Sequence, residues 1–113
     1  MEDSEKAQQE ICRKYQSEFC PIKTDEMVAI ALESLGKSPI YGLRIARKNP
    51  TDNVEWFFYC GEGSQAPDFY KPIHVHHLSQ YLPMAEKYLG LAPGYRFIID
   101  AAGYEDVWVE LNE

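Results

Sequence analysis

The sequence predicts an α+β fold: two amino-terminal helices, then a mainly antiparallel four-stranded sheet with one intervening helix, in the order α-α-β-β-α-β-β. Three observations predict it. Apolar residues recur at helical spacing in the first third, the hydrophobic pattern then alternates as in strands, and turn clusters split the remainder into hairpins around one further helical stretch. At 113 residues the chain is expected to form a single domain, with 1–38 as the helical pair and 39–113 as the sheet with its helix. Surface scaling gives a folded area of roughly 6,300 Å² against roughly 19,000 Å² unfolded, so about two-thirds is buried. Such a core needs neither a disulfide nor a metal, and an apolar fraction of 45% argues against disorder.

From Asp3 to Cys20, Ala7, Ile11, Tyr15 and Phe19 form one apolar stripe with Cys12 beside it, which reads as an amphipathic helix. Glu2, Asp3 and Glu5 suit the positive end of its dipole, and Pro21 stops it. Thr24 is expected to cap a second helix, with Asp25 and Glu26 in its first turn. Val28, Ala31, Leu32 and Leu35 would be its buried stripe and Gly36 its left-handed end. Tyr41, Leu43 and Ile45 alternate with Gly42, Arg44 and Ala46 as a first strand, and Asn49 to Asn53 is a turn cluster. Val54 to Cys60 is a second strand, apolar on both faces and therefore central in the sheet. Gly61 to Lys71 reads as a loop near the upper length for an unstructured connection, which marks it as a functional candidate. Pro72 to Leu91 reads as a third helical region, in which His76 to Tyr81 forms a short turn and Pro83 opens a helix running to Leu89. Tyr95 to Asp100 and Tyr104 to Leu111 close the chain as a hairpin around Ala101-Ala102-Gly103.

The formal net charge is −7, from 18 acidic against 11 basic side chains. That balance speaks against nucleic acid, whose affinity comes from Lys and Arg neutralising phosphates, and against an anionic membrane surface. It favours encounter with a basic protein, or serves solubility alone. Three cysteines with no CxxC spacing suit reduced thiols in the cytoplasm. The polar start Met1 to Glu5 reads as no signal peptide, and no apolar run reaches the length of a membrane span.

Catalytic chemistry has little to stand on. His74 and His76, with His77 beside them, offer imidazoles to a metal ion, but the further ligands a zinc site needs are missing. Cys60 is paired with no oriented base and reads as a small core residue. Glu105 and Asp106 are adjacent, so on a strand they point to opposite faces and cannot act as an acid–base pair. Gly61-Glu62-Gly63-Ser64 lacks the Lys-Ser/Thr of a phosphate loop. No catalytic residue, metal or cofactor is therefore expected. The last strand is of interest as a surface. Val107, Val109 and Leu111 alternate with Asp106, Trp108 and Glu110, so a valine core face leaves an aromatic and acidic face opposite. Trp108 is then either an anchor for a basic partner or packed against Trp56 and Phe58 on a second covered face.

The run Glu55-Trp56-Phe57-Phe58-Tyr59-Cys60-Gly61-Glu62, the acidic loop through Asp68 and the segment Pro72 to Leu78 have a familiar combination. So do Tyr81-Leu82-Pro83, Tyr88-Leu89, Pro93-Gly94-Tyr95-Arg96-Phe97 and Gly103 to Trp108. Together they resemble a family of immunity proteins from bacterial polymorphic toxin systems, over roughly 39–111. The resemblance implies a protein that neutralises a cognate toxin by occluding it. The toxin is expected to be basic, and Glu62, Asp68, Asp100, Tyr104, Glu105, Asp106 and Trp108 are the expected contact residues. The alternatives are a small metal- or Cys/His-dependent enzyme built on His74, His76 and His77, and a homodimer joined through an edge strand or the first helix.

Overall fold

The computed structural model describes residues 2–23, 26–45, 54–63 and 68–110. Helix α1 spans Glu2–Lys14 and buries Ile11 and Cys12. It was expected to reach Cys20 but stops earlier, because Gln16 takes a left-handed φ of 59°. The N–H of Ser17 donates to the carbonyl of Cys12 at 2.8 Å and that of Gln16 to Arg13 at 3.4 Å, which is a Schellman closure. The chain then continues without regular structure past Pro21. In that form Cys20 N–H reaches the Gly90 carbonyl at 2.7 Å, and Phe19 lies on Gly90, where a Cβ would stand 2.7 Å from its ring.

The expected second helix is not there. Its place is taken by strand β1, Met27–Ile30, and a single 3₁₀ turn, Leu32–Ser34. The spacing of Val28, Ala31, Leu32 and Leu35 fits a helix, but a helix so short is marginal by itself. As a strand, β1 gains a ladder on both sides and buries Val28 and Ile30 completely. Its expected N-cap, Thr24, and the first-turn residue Asp25 lie outside the described residues.

Strands β2 (Ile40–Arg44) and β3 (Val54–Cys60) fall where the alternation places them. The turn cluster from Asn49 to Asn53 and residues 64–67 of the long connection are not described. After Tyr70 the chain forms a further strand, β4 (Lys71–His74), where loop was expected at Lys71 and a helical region from Pro72; Pro72 hid it, since proline is confined to sheet edges. A 3₁₀ turn (Val75–His77), a one-turn helix α2 (Leu78–Tyr81) and a 3₁₀ segment (Pro83–Tyr88) follow. Strands β5 (Tyr95–Ile99) and β6 (Glu105–Val109) form the closing hairpin.

The result is α+β with a six-stranded mixed sheet in the order β4-β1-β3-β2-β5-β6. The four-stranded antiparallel arrangement and its element order are thus corrected, since two more strands appear and β1 runs parallel to β3. β3 is central, as its two apolar faces required. One face carries the core. Val28, Ile30, Trp56, Phe58, Phe97 and Ile99 meet Ile11, Leu78, Ala85, Tyr88 and Leu89 from the helical side. Gly42 makes room for this layer, for a Cβ there would stand 2.2 Å from the Phe97 ring. Arg44 is the buried cation of the core rim. Its Nη1 donates to the carbonyls of Cys20 and Leu91, each at 2.7 Å, and its Nε to Glu55 at 2.9 Å.

Candidate functional site

All the helical segments pack on one face of the sheet, and among the described residues none covers the other. Cross-strand register fixes what that open face presents. One row crosses the whole sheet as Pro72, Ala29, Phe57, Leu43, Arg96 and Trp108. The next row runs Tyr59, Tyr41, Ile98 and Asp106. Side chains of directly opposed residues share a face, so both rows line the same surface. Tyr41 and Tyr59 stack with ring centroids 4.6 Å apart. Phe69 and Tyr70 fold back from the connection onto Tyr59 and Phe57, with centroids at 6.1 and 5.3 Å. These aromatic residues are half-buried and packed against one another side by side.

The expected contact residues divide between the two faces. Asp106, exposed, and Trp108, half-buried, stand on the open face. Trp108 therefore does not pack on Trp56 and Phe58, which lie on the core side. Its Nε1 donates to Glu110 at 3.0 Å, and Glu110 also approaches Arg96 Nε at 3.5 Å. Glu62 and Asp68 are exposed at the end of the aromatic band, Asp68 immediately before Phe69. Asp100 and Tyr104 go elsewhere. Asp100 Oδ1 holds the hairpin turn by accepting from the N–H groups of Ala102 and Tyr104 at 2.9 and 3.0 Å. Tyr104, 53% exposed, borders a cleft of about 550 Å³ on the helical side, with Met84, Lys87, Tyr88 and Glu105.

Glu105 is tied into the fold. Its carboxylate accepts from the hydroxyls of Tyr15 and Tyr88 and from Lys14 Nζ at 2.8 Å, with Lys87 Nζ 4.0 Å away. Burial alone would raise its pKa, but the bonds from Lys14, Tyr15 and Tyr88 outweigh that and pull it down to about 2. Burial and then the same carboxylate push the Tyr88 hydroxyl well above its ordinary value. Sequence reasoning placed Glu105 at the contact surface because both tyrosines that claim it are remote in the chain.

The histidines gather, with ring centroids of His76 and His77 4.2 Å apart and of His74 and His76 5.4 Å apart. Among the described residues, however, no group of three or more His, Cys, Asp or Glu converges on a point where a metal would sit. Cys60 is buried, and desolvation pushes its thiol up, which is the reverse of an activated nucleophile. Tyr41, Tyr59, Phe69 and Tyr70 are the surface residues that the sequence reading passed over. The signal lay in β3: its alternate residues Phe57 and Tyr59 need a cover, and one helical layer cannot serve both faces. No described helix is long and apolar enough to cross a membrane.

Comparison with known families gives one match: the family model described as Imm33-like domain matches residues 7–110. The match takes in α1 and β1 as well as the region after residue 39 that carried the resemblance in the sequence. No curated protein and no solved structure matches the chain.

Proposed function

The chain belongs to the Imm33-like domain family, and from that premise we propose that it is an immunity-type binding protein that neutralises a cognate bacterial toxin by occluding it. The observation that carries the reading is the open aromatic face. Tyr41, Phe57, Tyr59 and Trp108 are only half-buried on the described sheet, although burying such rings is among the largest gains available to a domain. Tyr and Trp are the side chains that most often anchor protein interfaces. Asp106, Glu62 and Asp68 border the aromatic band with negative charge, which suits a basic toxin surface and speeds its approach. Occlusion then needs no chemistry. The toxin docks against a preformed sheet and its own site is blocked, in the cytoplasm, where Cys12, Cys20 and Cys60 stay reduced.

The test is affinity capture from a lysate of the source bacterium, with wild-type protein and a Tyr59→Ala, Trp108→Ala variant side by side. Wild type is expected to retain one stoichiometric basic protein, and the variant to lose it by at least tenfold in affinity while still folding. Equal retention by both proteins would overturn the assignment to this face.

A further inference from the structure

Gly90 is where the end of α1 and the segment after it meet. Its carbonyl accepts from the Cys12 thiol at 3.3 Å and from the Cys20 N–H at 2.7 Å, so two cysteines close on one oxygen. A helix running on to Cys20 would hold them about 12 Å apart along its axis, beyond disulfide reach. The left-handed Gln16 ends the helix instead, and the Ser17 N–H turns back to the Cys12 carbonyl at 2.8 Å. Two further bonds hold the return in place. The Ala92 N–H donates to the Ser17 hydroxyl at 2.9 Å, and Arg44 Nη1 donates to the Cys20 carbonyl at 2.7 Å. Cys12 is buried and Cys20 half-buried. Cys60 sits elsewhere, at the end of β3 with its N–H on the Ser34 hydroxyl.

We propose that Cys12 and Cys20 are a redox-responsive pair, joined as a disulfide by a low-molecular-weight disulfide such as oxidised glutathione and parted again by the reduced thiol. Cys20, the more accessible, reacts first. Its thiolate bonds to one sulphur of the oxidant, and the other sulphur leaves with the electron pair of the broken bond and takes up the proton Cys20 lost. Cys12 then attacks the Cys20 sulphur, and its own proton goes to the thiolate it displaces. Two protein thiols are oxidised and one small disulfide is reduced to two thiols, so the exchange balances. The order follows from the surroundings. Burial pushes the Cys12 thiol up against its bond with Ser17, and Cys20 adds to the rise while the Arg44 charge opposes it. A thiol so held is a poor first nucleophile, but it has only to reach a neighbouring sulphur. Turning it away from Gly90 leaves no acceptor empty, since the Cys20 N–H stays on that carbonyl. In a reducing cytoplasm the dithiol is the resting form, and the bridge forms when oxidant rises. The pair lies on the helical side of the sheet, so the inference is independent of what binds the open face.

The test is thiol–disulfide exchange on the full chain, incubated with glutathione at graded ratios of oxidised to reduced form, then acid-quenched, alkylated and digested with trypsin. Cleavage after Arg13 and Lys14 separates the two cysteines, so only a bridge keeps their peptides together. Wild type is expected to lose two of its three thiols and to yield the linked Cys12 and Cys20 peptides. Cys12→Ser should stop with one glutathione on Cys20, and Cys20→Ser should take up none under native conditions. The equilibrium constant for the bridge should be at least about tenfold larger in native buffer than in urea, because the fold holds the two sulphurs together. Every reading uses the protein alone, without a partner. Wild type that stops at glutathione on Cys20 overturns the proposal. So does a bridge that includes Cys60, or one no more favoured in the fold than in urea.

Discussion

Replacing Glu105 with glutamine removes one charge and leaves the size of the side chain unchanged, so it isolates what the carboxylate contributes to the fold. In the native protein its pKa falls from 4.5 to about 2, burial being outweighed by the donors Lys14, Tyr15 and Tyr88. At about 1.4 kcal/mol per pKa unit the full displacement corresponds to at most about 3.4 kcal/mol. The carboxylate is 19% exposed and Lys14 is 61% exposed, so solvent screening reduces the expected contribution to about 1–2 kcal/mol. A depressed carboxylate pKa stabilises the fold fully above the unfolded value of 4.5, and that stability is lost as pH falls through about 2. Urea unfolding of wild type and Glu105→Gln should therefore differ by about 1–2 kcal/mol at neutral pH. The difference should shrink below pH 4.5 and nearly vanish by about pH 2. Wild type should lose stability with acid more steeply than the variant over that range. Parallel acid profiles, or equal stability at neutral pH, would refute the assignment of Glu105 as an ionised tie between α1, the Pro83–Tyr88 segment and β6.

Three further outcomes follow from the packing. Arg44→Lys cannot reproduce the guanidinium's fork to Cys20, Leu91 and Glu55, and should cost roughly 3 kcal/mol of stability, read as a lowered urea midpoint. Gly42→Ala sets a methyl against the Phe97 ring and should cost about 1–3 kcal/mol by overpacking, again visible in the urea midpoint. Titration with a thiol reagent under native conditions should modify Cys20 first. Cys12, whose thiol donates to the Gly90 carbonyl at 3.3 Å, and Cys60, beside Ser34, are buried and should react only as the protein unfolds.

How much of this was legible in the sequence depended on whether the deciding partners were local. β3 could be read to its ends, since seven apolar-rich residues bounded by turns leave no other choice. The β5–β6 hairpin could be read because alternation and the Asp100–Gly103 turn agree. β1 could not. Val28, Ala31, Leu32 and Leu35 satisfy a helical stripe, and the strand over Met27–Ile30 is selected by β3 and β4, which arrive much later in the chain. The end of α1 was hidden for a different reason: Gln16 adopts a left-handed conformation usually given to Gly or Asn, so its Schellman closure carries no sequence signature. The open face was half legible. Asp106 and Trp108 followed from the alternation of β6, but Tyr41 and Tyr59 gained meaning only once the missing second helix left a single covering layer.

The adjacent pair Glu105 and Asp106 lets the proposed binding role be separated from the fold. Neighbours on a strand point to opposite faces, so one carboxylate enters the helical side and the other stands in the open. A change at Glu105 acts on the contacts among α1, the Pro83–Tyr88 segment and β6, and its effect on partner binding should be no larger than its effect on stability. A charge reversal at Asp106 removes no described hydrogen bond and should leave unfolding almost untouched. If the open face receives a basic protein, that same reversal slows association, most strongly at low salt, where the charges are least screened. The two variants thus form a control for each other: stability lost without association at one position, association lost without stability at the next. Were both to move together, the division of the sheet into a structural face and a binding face would be wrong.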